Sequence, residues 1–169
     1  MPLPDLMEEL QLEIFVLFWL IGINGAPILL TKLLGQRFSC PIDCNRVFSD
    51  GRPILGPSKT FRGLISALLV SVLIGSIFAI PLHTSLLFGA LSMMGDMTTS
   101  FIKRRLSLVS SSMALGLDQI PESLFPLLGC NDLLGISVEQ IVVVVVAFFL
   151  IDLILSQLLF WLRIRKTPY

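Results

Sequence analysis

Polar residues in this chain gather at the ends of long apolar runs instead of alternating with them. Ile14 to Leu30, Leu64 to Ile80, Leu86 to Ile102, Met113 to Leu128 and Val138 to Leu162 are five such runs. A helix needs about 20 apolar residues to cross the hydrocarbon core of a bilayer, so the pattern predicts about five transmembrane helices and an all-α polytopic membrane protein. The first run contains Asn24, Gly25 and Pro27 and is expected to kink there. The fourth is interrupted by Asp118, Pro121, Glu122 and Pro126 and is expected as a tilted or broken crossing. The longest polar stretch, Gly35 to Gly63, separates the first two runs and is rich in Pro, Gly and cations. A loop of that length without secondary structure is more often functional than a simple connector.

Composition strengthens this picture. Of 169 residues, 54% are hydrophobic and 14% charged, and mean hydropathy is +0.88. Soluble domains carry about 25% charged residues, so an aqueous core protein is excluded. The whole of 1–169 is expected to form one integral-membrane domain. The acidic start, with Asp5, Glu8, Glu9 and Glu13, is the opposite of a basic leader, so the first apolar run is expected to stay in the mature protein.

Charge then fixes an orientation. All twelve Lys and Arg fall in three segments: Lys32 to Arg62, Lys103 to Arg105, and Arg163 to Lys166. Five crossings put all three on one side, which the positive-inside rule makes the cytoplasm. The N-terminus is then outside, the C-terminus is cytoplasmic, and the long loop between the first two helices faces the cytoplasm. One crossing more or fewer would scatter the cations over both faces. Cys40, Cys44 and Cys130 are odd in number and lack a partner pair, so they read as ordinary thiols.

The candidate chemistry lies on that cationic face. On a helix, Asp96, Ser100 and Lys103 stand at i, i+4 and i+7 and share a stripe. A charged Asp96 within an apolar run must face a cation, a cavity or the bundle interior. Pairing with Lys103 or Arg104 would only fix helix packing. As a metal ligand, Asp96 would be joined by Asp118, a second hard oxygen donor, and Mg2+ is suited by one or two carboxylates plus phosphate oxygens. Glu122, one turn beyond Asp118, would complete the shell, bind a ligand or cap its helix. Lys103 reads as a phosphate contact and Arg105 as a lipid-facing anchor. Asp152, mid-way along the last run, reads as structural, and His83 falls in an outer turn.

In the loop, GRPILGPSKT at Gly51 to Thr60 is not a Walker A motif, because Pro57 and Ser58 separate Gly56 from Lys59 and no strand precedes it. Ser58, Lys59, Thr60 and Arg62 still present donors just before a helix start, which suits an anion.

DGRPILGPSKTFRG at Asp50 to Gly63, with GDMTTSFIKRR from Gly95 and DQIPE from Asp118, resembles the CDP-archaeol synthases, over essentially the whole chain. Ser100 to Arg104 is also distantly similar to part of the phosphatidate cytidylyltransferase signature, whose His-Gly-Gly portion is absent. The resemblance implies transfer of CMP from CTP to an isoprenoid ether-lipid phosphate, 2,3-di-O-geranylgeranylglycerol 1-phosphate, at the cytoplasmic membrane face. It implies Mg2+ at Asp96 and Asp118, with Lys103 as a further catalytic group. CTP would be held by Asp50, Gly56, Pro57, Ser58, Lys59, Thr60, Arg62, Ser100, Arg104 and Glu122. The expected partners are CTP, the lipid substrate and membrane lipid, with no nucleic acid and no obligate protein. A diacyl-lipid cytidylyltransferase and a small cation or lipid transporter are the alternatives. A transporter would not need so long a basic Gly/Pro loop.

Overall fold

The computed structural model describes residues 3–108, 114 and 116–163. Arg165, Lys166 and most of the polar turn from Ser107 to Ser112 lie outside them. The helices are α1 (Leu3–Leu34), α2 (Phe61–Ile77), α3 (Leu82–Arg105), α4 (Gln119–Gly129), α5 (Asn131–Leu134) and α6 (Val138–Trp161). Among the described residues the only β pairing is two isolated bridges, Pro41 with Thr60 and Val47 with Pro53, both inside the long loop.

Among the described residues two helices are long and apolar enough to cross a membrane. They are Met7–Leu34 within α1, with mean hydropathy 2.1, and α6 with 2.7. Only 22% of each window is buried within the protein. Exposed apolar side chains form continuous stripes: Val142, Val146, Leu150, Ile154 and Leu158 along α6, and Ile65, Leu69, Leu73 and Ile77 along the shorter apolar α2, each four residues apart. Apolar surface on that scale belongs against hydrocarbon, not water. The buried side of α6, Ile141, Val144 and Phe148, faces the core.

The fourth run gives a shorter helix than its length in sequence. Gly116 turns the chain with φ +77°, and α4 begins only at Gln119. Its 11 residues extend about 16 Å, roughly half the hydrocarbon thickness. The acidic start, by contrast, joins α1, which is 32 residues long and stays helical through Pro27.

Aromatic packing ties the bundle together. Trp19 stacks on Phe88 at 4.1 Å, while its indole nitrogen donates to the Ser71 carbonyl at 3.0 Å, joining α1, α3 and α2. Small residues let the helices close up. A Cβ on Gly89 would come within 2.7 Å of Ser71, and one on Gly95 within 2.2 Å of the Pro121 carbonyl oxygen.

The ends of four helices share one face. Arg62, at the start of α2, donates to the Gly35 carbonyl at 3.1 Å and to the Arg37 carbonyl, just past the end of α1. Lys32 donates to the Arg163 carbonyl at 2.8 Å, bringing the ends of α1 and α6 together. Arg105, at the end of α3, bonds to the same long loop. Every described Lys and Arg therefore lies at one end of the bundle, with His83 at the opposite end of α3.

Candidate active site

The loop from Gln36 to Thr60 is short of repetitive structure but not of bonds. Asp43, 8% exposed, accepts from the backbone N–H groups of Asn45 at 3.0 Å, Leu55 at 2.9 Å and Gly56 at 2.8 Å. Burial pushes the Asp43 carboxyl pKa up, but the amides of Gly56, Leu55 and Asn45 outweigh this and hold it below the ordinary value. The Ile42 amide donates to the Lys59 carbonyl at 2.8 Å, and Phe61 to the Cys40 carbonyl at 3.0 Å. Thr60 then caps α2, its hydroxyl accepting from the Gly63 amide at 3.1 Å.

This path delivers Lys59 to α3. Its ammonium is 2.5 Å from one Asp96 carboxylate oxygen and bonded to the other as well. About a fifth of each side chain is exposed. Burial would lower the Lys59 pKa, but the carboxylates of Asp96 and Glu122, with Asp118 further off, hold it above the ordinary lysine value. The pairing of Asp96 with Lys103 or Arg104 does not form. Seven residues of helix separate Asp96 from Lys103 by about 10 Å along the axis, and Lys103 instead meets Asp118 at 2.6 Å. Arg104 also feels the Asp118 charge, and Ser100, Lys103 and Arg104 are all buried.

The third carboxyl comes from α4. The Glu122 carboxyl lies beside that of Asp96, close enough for the two to interact strongly. Gly95 makes this possible, because the α4 backbone at Pro121 and Glu122 occupies the space a side chain at 95 would fill. Asp118 precedes α4 and also accepts from the Ala114 amide at 3.2 Å. Gln119 donates to Asp152 of α6 at 2.9 Å and accepts from the Gly116 amide at 3.1 Å, fixing the first turn of α4 from behind.

Beside the Lys59–Asp96 pair lies an open cleft. Ser58, Lys59, Thr60 and Asp96 line it together with the apolar side chains of Pro27, Leu64, Met93 and Met97. Among the described residues no three His, Cys, Asp or Glu side chains form a metal-binding group. The Asp96–Glu122 contact nevertheless supplies adjacent hard oxygens of the type Mg2+ takes when substrate phosphates complete its shell.

The other sequence candidates divide. Gly56 is buried with φ +94°, a conformation that favours glycine, and Pro57 is exposed beside it. Asp50 and Arg62 are engaged away from the cleft, Asp50 with Arg105 at 2.8 Å and Arg62 with the end of α1. Arg105 is not a lipid-facing anchor. Its guanidinium lies 4.9 Å from the centroids of both Phe48 and Phe101 and bonds Asp50 and the Arg52 and Pro53 carbonyls, clasping the loop to α3. Sequence reasoning missed Asp43 and Gly95, whereas Asp152, read there as structural, does hold a polar partner, Gln119. Only Asp43 carried a local signal, an Asp two residues before an Asn in a turn-rich stretch.

Comparison with known proteins bears on this site. The family model described as CarS-like, CDP-archaeol synthase, matches residues 10–169. The CDP-archaeol synthase of Pyrobaculum islandicum is 34% identical over 166 residues, covering 94% of this chain and 98% of that protein. That of Sulfurisphaera tokodaii is 33% identical over 135 residues, covering 76% and 81%. A solved structure, described as an intramembrane enzyme for archaeal membrane lipids biosynthesis, superposes with TM-score 0.69 at 26% identity, covering 85% of this chain and 91% of that one.

Proposed function

The chain belongs to the CDP-archaeol synthase family, and from that premise we propose that it transfers CMP from CTP to the phosphate of 2,3-di-O-geranylgeranylglycerol 1-phosphate, releasing pyrophosphate. The observation that carries this reading is the Lys59–Asp96 pair in the lining of a cleft that mixes polar and apolar side chains, with the Lys103–Asp118 pair within electrostatic reach of it. The polar lining suits a polyphosphate. The apolar lining suits the first isoprenoid carbons of the lipid.

An oxygen of the lipid phosphate attacks the α-phosphorus of CTP. The new P–O bond forms as the bond to the bridging oxygen breaks, and pyrophosphate leaves with the electron pair. The nucleophile is already anionic at neutral pH, so no general base is needed, in keeping with His83 lying at the far end of α3. Catalysis then rests on positioning and charge neutralisation. On binding, Lys59 and Lys103 exchange carboxylate partners for phosphate oxygens and Arg104 adds a third cation, while Ser58 and Thr60 line the polyphosphate path. Mg2+, held by Asp96 and Asp118 with Glu122 beside Asp96, would neutralise the phosphates. The shared face of the helix ends supports five crossings, the fourth a broken one made by the short α4 with α5, with the active site at the cytoplasmic surface, the N-terminus outside and the C-terminus inside.

The test is direct. Purified protein is incubated with CTP, Mg2+ and either geranylgeranylated glycerol phosphate or diacyl phosphatidic acid, and pyrophosphate is followed. Release with the isoprenoid lipid is expected. Release with the diacyl lipid alone would move the enzyme to the other substrate class, and no release with either would end the reading.

A further inference from the structure

We propose that Asp43 is the positioning residue of the nucleotide loop: its buried carboxylate, bonded to the Asn45, Leu55 and Gly56 amides, holds Lys59 at the cleft. This rests on the reading of Lys59 as a CTP contact. Asp43 itself touches none of the reacting groups.

The geometry gives Asp43 control over both strands of the loop. One Asp43 oxygen takes the Leu55 and Gly56 amides together, and the other folds back to Asn45. Gly56 starts the turn that ends at Lys59, whose amide donates to the Gly56 carbonyl at 3.3 Å. Ile42, next to Asp43, donates to the Lys59 carbonyl from the opposite side. The Lys59 backbone is thus gripped on two sides by residues that Asp43 fixes. Without the carboxylate, three amides lose their acceptor in a stretch with little other secondary structure to hold it. A loop that reaches Asp96 by a single lysine tip is sensitive to such a loss, because small displacements of a binding group weaken binding steeply.

Asp43→Ala and Asp43→Asn are compared with wild type for steady-state kinetics and for amide hydrogen exchange at Leu55 and Gly56. Asn keeps one oxygen acceptor but turns an NH2 toward an amide, so it is the milder change and keeps the test readable should Ala fail to fold. The KM for CTP should rise about tenfold in Asp43→Ala and less in Asp43→Asn, with the KM for lipid unchanged. Leu55 and Gly56 should exchange faster in both. In a Lys59→Met background, Asp43→Asn should add nothing further, since both act through one group. An unchanged KM for CTP, or an effect that simply adds to that of Lys59→Met, would overturn the proposal. If wild type transfers no CMP to any lipid, the functional reading fails instead. The exchange measurement would then still decide whether Asp43 orders the loop.

Discussion

Individual side chains here are read by the partners they hold. Asp96 and Asp118 each carry a lysine from a different segment, so neither half-buried carboxylate is left uncompensated. Asp43 is held by amides alone, and this has a pH consequence. Its carboxyl lies below its ordinary value of 3.8 in the folded loop. The order it contributes is therefore complete above that value and is lost as pH falls through the lower, folded one. Hydrogen exchange at Leu55 and Gly56, corrected for intrinsic rate, should show constant protection from about pH 5 to 8 and a fall only below about pH 4. Protection that vanished near pH 6, or an identical acid profile in Asp43→Asn, would contradict this assignment.

Helix elements are positioned by the absence of side chains as much as by their presence. Glycine inside a helix is about 1 kcal/mol worse than alanine, so Gly→Ala normally stabilises. At Gly95 the new methyl would lie 2.2 Å from the Pro121 carbonyl oxygen and 2.8 Å from the Glu122 nitrogen, both α4 backbone atoms. Gly95→Ala is expected to destabilise by about 1–3 kcal/mol and to lower turnover by parting Asp96 from Glu122. Gly25→Ala has nothing within 4 Å of the added atom and should be neutral or slightly stabilising. Thermal unfolding in detergent distinguishes the two, and equal effects at both positions would refute the close-approach argument. This level also marks where the sequence stops being informative. Long apolar runs announce α1, α2, α3 and α6 because burial in lipid makes hydropathy itself the signal. The shortening of α4 depends on a backbone turn at Gly116, and the roles of Gly95, Arg105 and Asp43 depend on which segments meet. Ser58, Lys59, Thr60, Asp96, Asp118 and Glu122 were legible as candidates since charges and donors beside apolar runs require a reason. Their partners were not, since Lys59 and Asp96 are 37 positions apart.

Across the whole molecule, one end of the bundle is cationic and the other carries none of the described Lys or Arg. Native Cys40 and Cys44 are exposed in the long loop at the cationic end, while His83 is exposed at the other. A membrane-impermeant maleimide should label Cys40 and Cys44 in inside-out vesicles only, and a His83→Cys variant lacking both should label in right-side-out vesicles only. The reverse pattern would invert the orientation, and labelling of both sites from one side would remove the spanning arrangement. The active-site account depends on the same geometry, because it brings acids from α3 and the start of α4 to the loop at one surface. CMP transfer by Asp96→Asn and Asp118→Asn, in protein shown to be inserted and folded, tests that most directly. A loss of about 100-fold or more in kcat is expected for each variant. Near-normal turnover in either would contradict it.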